Sequence, residues 1–382
     1  MKQFDTIVRC DKLIQSLSKK IEYFDAKNVL KEIGINVSGK VYDFNALRSA
    51  LDFLFQNGNF IHKRVIFPAF ICPIVPEVAR RNNIEPIFID CSLEDFNIEN
   101  SGLEQIDFSK VDAIFVNHTF GYPVDITSIR KKIKNVTIIE DAAHAIFSEI
   151  NGHYVSSYGD FSLISLRKQL PNTGGGLLVT KNDNFDKQFN TLKRAKITLS
   201  DLRQIAFFTD AAHQRPIRLL RRLSKLYESA EPKEEKWTIQ KSSKISQKLF
   251  INGMIKLKEE VEGRRKKAPL YGEYLNDKYF VLQKTRVGKS SYFTINVRLK
   301  PDYAYLRDHV VQKLRRQGIF VDRMWYNAAA FLPEFKKYMQ GECKKSQLLA
   351  KSIINLPIRK DYSEGDIKYL CNELNKSLQE LR

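Results

Sequence analysis

Between residues 64 and 180 the chain carries short runs that are apolar at nearly every position: RVIFPAF, EPIFID, VDAIFVN, VTIIED and GGLLVT. A strand without polar alternation has no face to give to water, so each run must be covered on both sides. The polar or helical segments between several of them are long enough to cross over and return, which is the connection that parallel strands need. With the helical stretch NALRSALDFLFQN just upstream, the pattern predicts an α/β fold: a mainly parallel sheet with helices on both faces. Open sheets of this kind place ligands outside the carboxyl ends of their strands. VTIIED ends in Asp141, whose carboxylate is therefore expected at that edge.

A chain of 382 residues with 43% hydrophobic content suits about two domains. We expect a large domain over 1–240, whose last part, about 211–240, is a basic helix and a charged linker, and a smaller C-terminal α/β domain over 241–382. In the latter, KSSKISQKLFINGMIKLKEEVEGRRKKAPLYGEYL reads as helix. YFTINVRL and IFVDRMWY read as strands, Asp302 to Gln317 as a helix, and the chain closes on another helix. The cysteines at 10, 72, 91, 343 and 371 form no CxxC pair and no metal-ligand spacing, so they read as small apolar filler in a reduced, cytoplasmic protein with no metal site. MKQFDTIVRCDKLIQ lacks the apolar core of a signal peptide, and no apolar run approaches the ~20 residues that span a bilayer.

The chemistry concentrates in one stretch, Ile138 to Thr180. An acid ends an apolar strand at Asp141, a lysine stands in a helix-breaking loop at Lys168, and three glycines precede the next strand. Pyridoxal phosphate needs those two side chains: an amine to form a Schiff base with its aldehyde, and a carboxylate against the ring nitrogen. By spacing alone, an Asp141 that caps a helix and a Lys168 on the surface fit equally.

The wider motifs carry more. IIEDAAHA, SYGDFS at Ser157 to Ser162, Lys168 with its trailing glycines, HTFGYP at His118 to Pro123, FPAFICP at Phe67 to Pro73 and the closing SIINLPIRKDYSEGDIKYL resemble, in that order, the DegT/DnrJ/EryC/StrS family of sugar aminotransferases. The resemblance implies the aspartate-aminotransferase type of fold (fold type I), pyridoxal 5'-phosphate as cofactor, and transfer of an amino group, from glutamate, to a nucleotide-linked keto sugar. It implies a homodimer as well. Residue by residue, it makes Lys168 the Schiff-base lysine and proton carrier, and Asp141 the ring-nitrogen partner. Phe70 becomes the aromatic stacked on the ring, and Arg48 and Ser49 the phosphate-holding pair at the start of a helix. Ser165, or alternatively Ser162, becomes a hydroxyl contact. His144 stands where most members have glutamine near the phenolic oxygen, and brings a titratable group that would alter the pH optimum; a structural histidine is the other reading. The loop before the lysine, SLRKQLP, is about two residues shorter than in typical members, and Arg167 is a second cation beside it. His118 reads as mainly structural. Trp325 and Asn327 are candidates for the pocket wall from the smaller domain.

The net charge of +19 calls for anionic company, which a nucleotide diphosphate supplies. Arg215, Arg218, Arg221, Arg222 and Lys225 share a helical face with Ile217, Leu220, Leu223 and Tyr227 nearby on another. Residues 215–227 are therefore read as a helix packed on its own protein, or as a peripheral membrane contact. No nucleic-acid motif is present. Besides transamination we keep a dehydratase or aminocyclitol enzyme using the same cofactor, and a catalytically silent binding protein on this fold.

Overall fold

The computed structural model describes residues 24–133, 135–170, 172–181, 184–199, 201–202, 205 and 237–380. The expected basic helix at 215–227 lies outside them. Strands β1 (Lys40–Phe44), β2 (Arg64–Pro68), β3 (Glu85–Ile89), β4 (Ala113–Asn117), β5 (Thr137–Asp141), β6 (Phe161–Ser165) and β7 (Gly176–Thr180) form one sheet. Their order across it is β1-β7-β6-β5-β4-β2-β3. The pairs β2·β3, β2·β4, β4·β5 and β5·β6 are parallel, while β7 runs antiparallel to both neighbours. The chain leaves β2 to one side for β3 and returns to its other side for β4, so the crevice of an open sheet falls at the carboxyl ends of β2, β4 and β5.

Helix α1 (Leu47–Asn57) buries Ala50, Leu51, Phe53, Leu54 and Phe55 against one face of the sheet. Its start rests directly on β7 because Gly176 has no side chain: a Cβ there would stand 2.5 Å from Leu47 Cα. Gly175 adopts φ +103, a conformation that an L side chain rarely takes.

The second unit is a three-stranded antiparallel sheet of β8 (Phe280–Leu282), β9 (Ile295–Leu299) and β10 (Ile353–Leu356). Its core joins Val297, Leu299, Ile354 and Leu356 to Val310 and Leu314 of helix Arg307–Arg316 and to Ile367, Leu370 and Leu374 of helix Glu364–Gln379. Helix α2 (Lys244–Tyr274) serves both units. Its Phe250, Met254, Leu257 and Val261 pack with Ile164, Leu166, Leu177 and Val179 of the large sheet, and its Ala268 and Tyr271 enter the small core. The expected division near residue 240 thus falls just ahead of a helix whose first half packs on the large sheet.

The strand expected over IFVDRMWY does not form. Ile319 and Val321 are buried in the small core, but beyond them only Asp322 pairs, with Asn355. Met324 N–H is then taken by the Asn355 side chain at 2.6 Å, and Trp325 turns to φ +60. Two apolar positions anchor the segment, and Arg323, lying over the Tyr326 ring at 3.9 Å, ends the alternation.

Candidate active site

Asp141 is the last residue of β5 and is half-buried at the crevice. Its Oδ1 accepts the Ala143 N–H at 2.9 Å, so it also caps the local turn, as one of the spacing-only readings allowed. Burial pushes its carboxyl up to about 6, against the Ala143 N–H and the charge of Lys168, which pull it down.

Its neighbour Glu140 points to the opposite side of the strand. There it accepts hydrogen bonds from His118 Nε2 at 3.0 Å, the N–H groups of Ser156 (2.7 Å), Tyr158 (3.0 Å) and Gly159 (2.9 Å), and Ser162 Oγ (2.9 Å). Burial works against the charge, but these donors prevail and hold the carboxyl below its usual range. His118 Nδ1 accepts the Val124 N–H at 2.9 Å, which leaves the proton on Nε2 for Glu140. Ser162 is thereby committed to Glu140.

Lys168 is exposed in the loop after β6, next to the equally exposed Arg167. Its ammonium acts electrostatically on Asp141, His144 and Cys72, so these groups share the crevice. His144 is buried, with its ring stacked on Phe293 at 4.4 Å and 6° between planes, and flanked by Phe120 (5.6 Å) and Trp325 (5.6 Å). Burial and the Lys168 charge hold its imidazole well below its usual value. It is therefore neutral across the neutral range, and the expected change of pH optimum through this ring has no basis in the structure. Its Nε2 has no hydrogen-bond partner among the described residues.

Phe70 is wholly buried, with its ring meeting Phe120 at 76° and Trp325 at 67°. It thus belongs to the aromatic layer behind His144. Cys72, read from sequence as filler, is half-buried and acts electrostatically with Lys168 and Asp141, whereas Cys91, Cys343 and Cys371 are buried. Its signal was its place two residues beyond Phe70, where the chain leaves β2 at the sheet edge. Trp325 does come to this site from the smaller unit. Ser165 is buried at the end of β6, opposite Gly176.

Arg48 and Ser49 are engaged by the Trp237–Thr238 segment. Ser49 is fully buried with its Oγ donating to the Thr238 carbonyl at 3.3 Å, and the Arg48 guanidinium lies 5.5 Å from the Trp237 ring centroid. A phosphate held by this pair would have to displace those contacts. The groups present suit the ring end of pyridoxal phosphate: a carboxylate, an exposed amine and a buried imidazole nitrogen with no partner among the described residues lie within electrostatic reach of one another.

Residues 45–375 match the DegT/DnrJ/EryC1/StrS aminotransferase family. Over 121 residues the chain is 34% identical to a GDP-perosamine synthase of Escherichia coli O157:H7, covering 29% of this chain and 33% of that protein, so this match spans a third of the synthase's length. It is 23% identical over 312 residues to a dTDP-4-amino-4,6-dideoxy-D-glucose transaminase of Shigella dysenteriae, covering 77% and 74% of the two chains. The fold superposes with a TM-score of 0.75 on Helicobacter pylori PseC, an aminotransferase involved in the biosynthesis of pseudoaminic acid, at 17% identity over 99% of this chain and 100% of that one. The chain belongs to the DegT/DnrJ/EryC1/StrS aminotransferase family, whose members depend on pyridoxal phosphate and share the α/β fold seen here.

Proposed function

We propose that this enzyme transfers an amino group from glutamate to a keto sugar linked to a nucleotide, with pyridoxal phosphate held between Asp141 and Lys168. The convergence of Asp141, Lys168 and a neutral His144 at one sheet edge carries the reading. The cofactor, when bound, supplies an aldehyde to receive the amine and a ring that takes up the electron pair released with a substrate proton. Asp141, ionised above about pH 6, is the residue that would hold the ring nitrogen and favour its protonated form. Lys168, exposed after β6, is the amine placed to receive the aldehyde and to move the substrate proton. His144 Nε2 offers a single hydrogen bond to an oxygen, and the aromatic layer of Phe70, Phe120, Phe293 and Trp325 keeps water from that side. Ser165 and the N–H groups at the start of α1 remain the candidates for the phosphate, with Arg48 and Ser49 joining only if the Trp237–Thr238 contacts yield.

The relatives' activities on GDP- and dTDP-linked sugars support a nucleotide-sugar substrate, and the excess of basic residues suits its diphosphate. We extend the reading to a cytoplasmic homodimer of two-domain subunits. No helix among the described residues is long and apolar enough to cross a membrane.

Incubation of the purified protein with pyridoxal phosphate, glutamate and a panel of nucleotide-linked keto sugars tests this reading. It predicts 2-oxoglutarate and an amino sugar in equal amounts with at least one sugar. Release of neither with any sugar, while the protein holds the cofactor, would favour a catalytically silent member instead.

A further inference from the structure

Gln169 follows Lys168 directly and is buried, with 6% of its surface exposed, whereas Lys168 is exposed. A buried amide must place both its donor and its acceptor. Gln169 does so across two elements: its Nε2 donates to the His144 carbonyl at 2.8 Å, and its Oε1 accepts from Arg264 Nη1 at 3.3 Å. Arg264 is itself buried on α2, where its Nε donates to Glu260 Oε1 at 3.2 Å. That carboxylate also accepts the Lys360 N–H at 3.1 Å, from the segment that follows β10. A continuous polar path therefore runs from the turn after Asp141, through the residue beside Lys168, to α2 and the smaller unit.

We propose that Gln169 is a positioning residue: by bridging the His144 carbonyl and the Arg264 guanidinium, it sets where the Lys168 amine stands relative to Asp141. The inference rests on Lys168 and Asp141 being the working pair proposed above. The loop that carries Lys168 spans only the residues between Ser165, the end of β6, and Gly176, the start of β7. It is tied by one amide to the turn that carries the imidazole and to the helix shared by both units. A residue with this role controls the geometry of capture without touching the reacting atoms, and small misplacements there are costly.

Full-length protein provides the test, through the rate at which Lys168 is captured by pyridoxal phosphate, trapped with borohydride and located by peptide mass. Gln169→Met removes both hydrogen bonds at similar length. Gln169→Glu keeps an acceptor for Arg264 but loses the donor to His144. The expected result is that Gln169→Met still labels Lys168, about tenfold more slowly, and slows the glutamate half-reaction to a similar degree with little change in KM. Gln169→Glu, which leaves an oxygen against the His144 carbonyl, should capture as slowly as Gln169→Met. Wild-type capture rates in either variant, with only the melting temperature lowered, would reduce Gln169 to a structural role and overturn the inference alone. Absence of Lys168 labelling in the wild type would instead take down the reading on which it rests, and the inference with it.

Discussion

Glu140 and Asp141 are consecutive residues at the end of one strand, and they have opposite environments. The interior side of β5 surrounds Glu140 with an imidazole, a hydroxyl and a row of backbone N–H groups. Among the described residues, the crevice side gives Asp141 a single local N–H. Both are withdrawn from water, yet one carboxyl is held below its usual range and the other is raised to about 6. A buried carboxylate with its donors supplied is a structural pin, here clamping the 156–162 loop and His118. One left short of donors is costly in the empty protein and available to a cationic partner. His144 repeats the second pattern, being buried and neutral with an unpaired nitrogen.

The comparison is sharpened first at Asp141. Asp141→Asn should lower turnover by about 10³-fold, since an amide cannot balance a protonated ring nitrogen. The same change should raise the melting temperature of the cofactor-free protein at pH 7. The sign follows from linkage. With its folded value raised from 3.8 to about 6, Asp141 binds a proton in the folded state that the unfolded chain has already released. Stability therefore falls as pH rises through that window and stays lower above it. Asparagine removes that cost, and a variant that melted lower than wild type at pH 7 would break the comparison.

Glu140→Gln should act in the reverse way. It turns an amide NH2 toward donors that need an acceptor, and should cost about 2–3 kcal/mol in denaturant unfolding. Unchanged stability would mean that the interior side is no pin. A smaller effect is expected of acid: cofactor affinity, followed by equilibrium titration, should weaken as pH falls through about 6 in the wild type, as Asp141 takes up its proton, but not in Asp141→Asn. The smallest change should come from His144→Gln, about two- to fivefold in turnover. Its rate should keep the wild-type pH profile between about 6 and 8, since a neutral imidazole has no titration to lose there.

Much of this arrangement was legible in the sequence because it depends on hydropathy and local order. The unbroken apolar runs became β2 to β5 and β7, and Asp141 emerged where VTIIED ends. β6, with Ser162 and Ser165 among its residues, and β1, with Lys40 and Asp43, were missed because polar residues interrupt short strands whose burial comes from distant neighbours. Glu140 was passed over for a related reason: its donors lie 16 to 22 residues away, and nothing in an apolar run announces them. Arg48 and Ser49 follow the family pattern in sequence, but the Trp237–Thr238 segment that engages them lies almost 190 residues further on. Gln169 was invisible because its meaning lies in Arg264, on a helix shared by both units.

The central claim, that Lys168 and Asp141 form one cofactor site, is tested most directly by the visible absorption spectrum of the protein with pyridoxal phosphate, wild type beside Lys168→Ala, before and after glutamate. The account predicts a band in the wild type that survives borohydride only as a covalent label on Lys168, is lost in the variant, and is bleached by glutamate. An identical band in both proteins, or a label placed on a lysine other than Lys168, would contradict it.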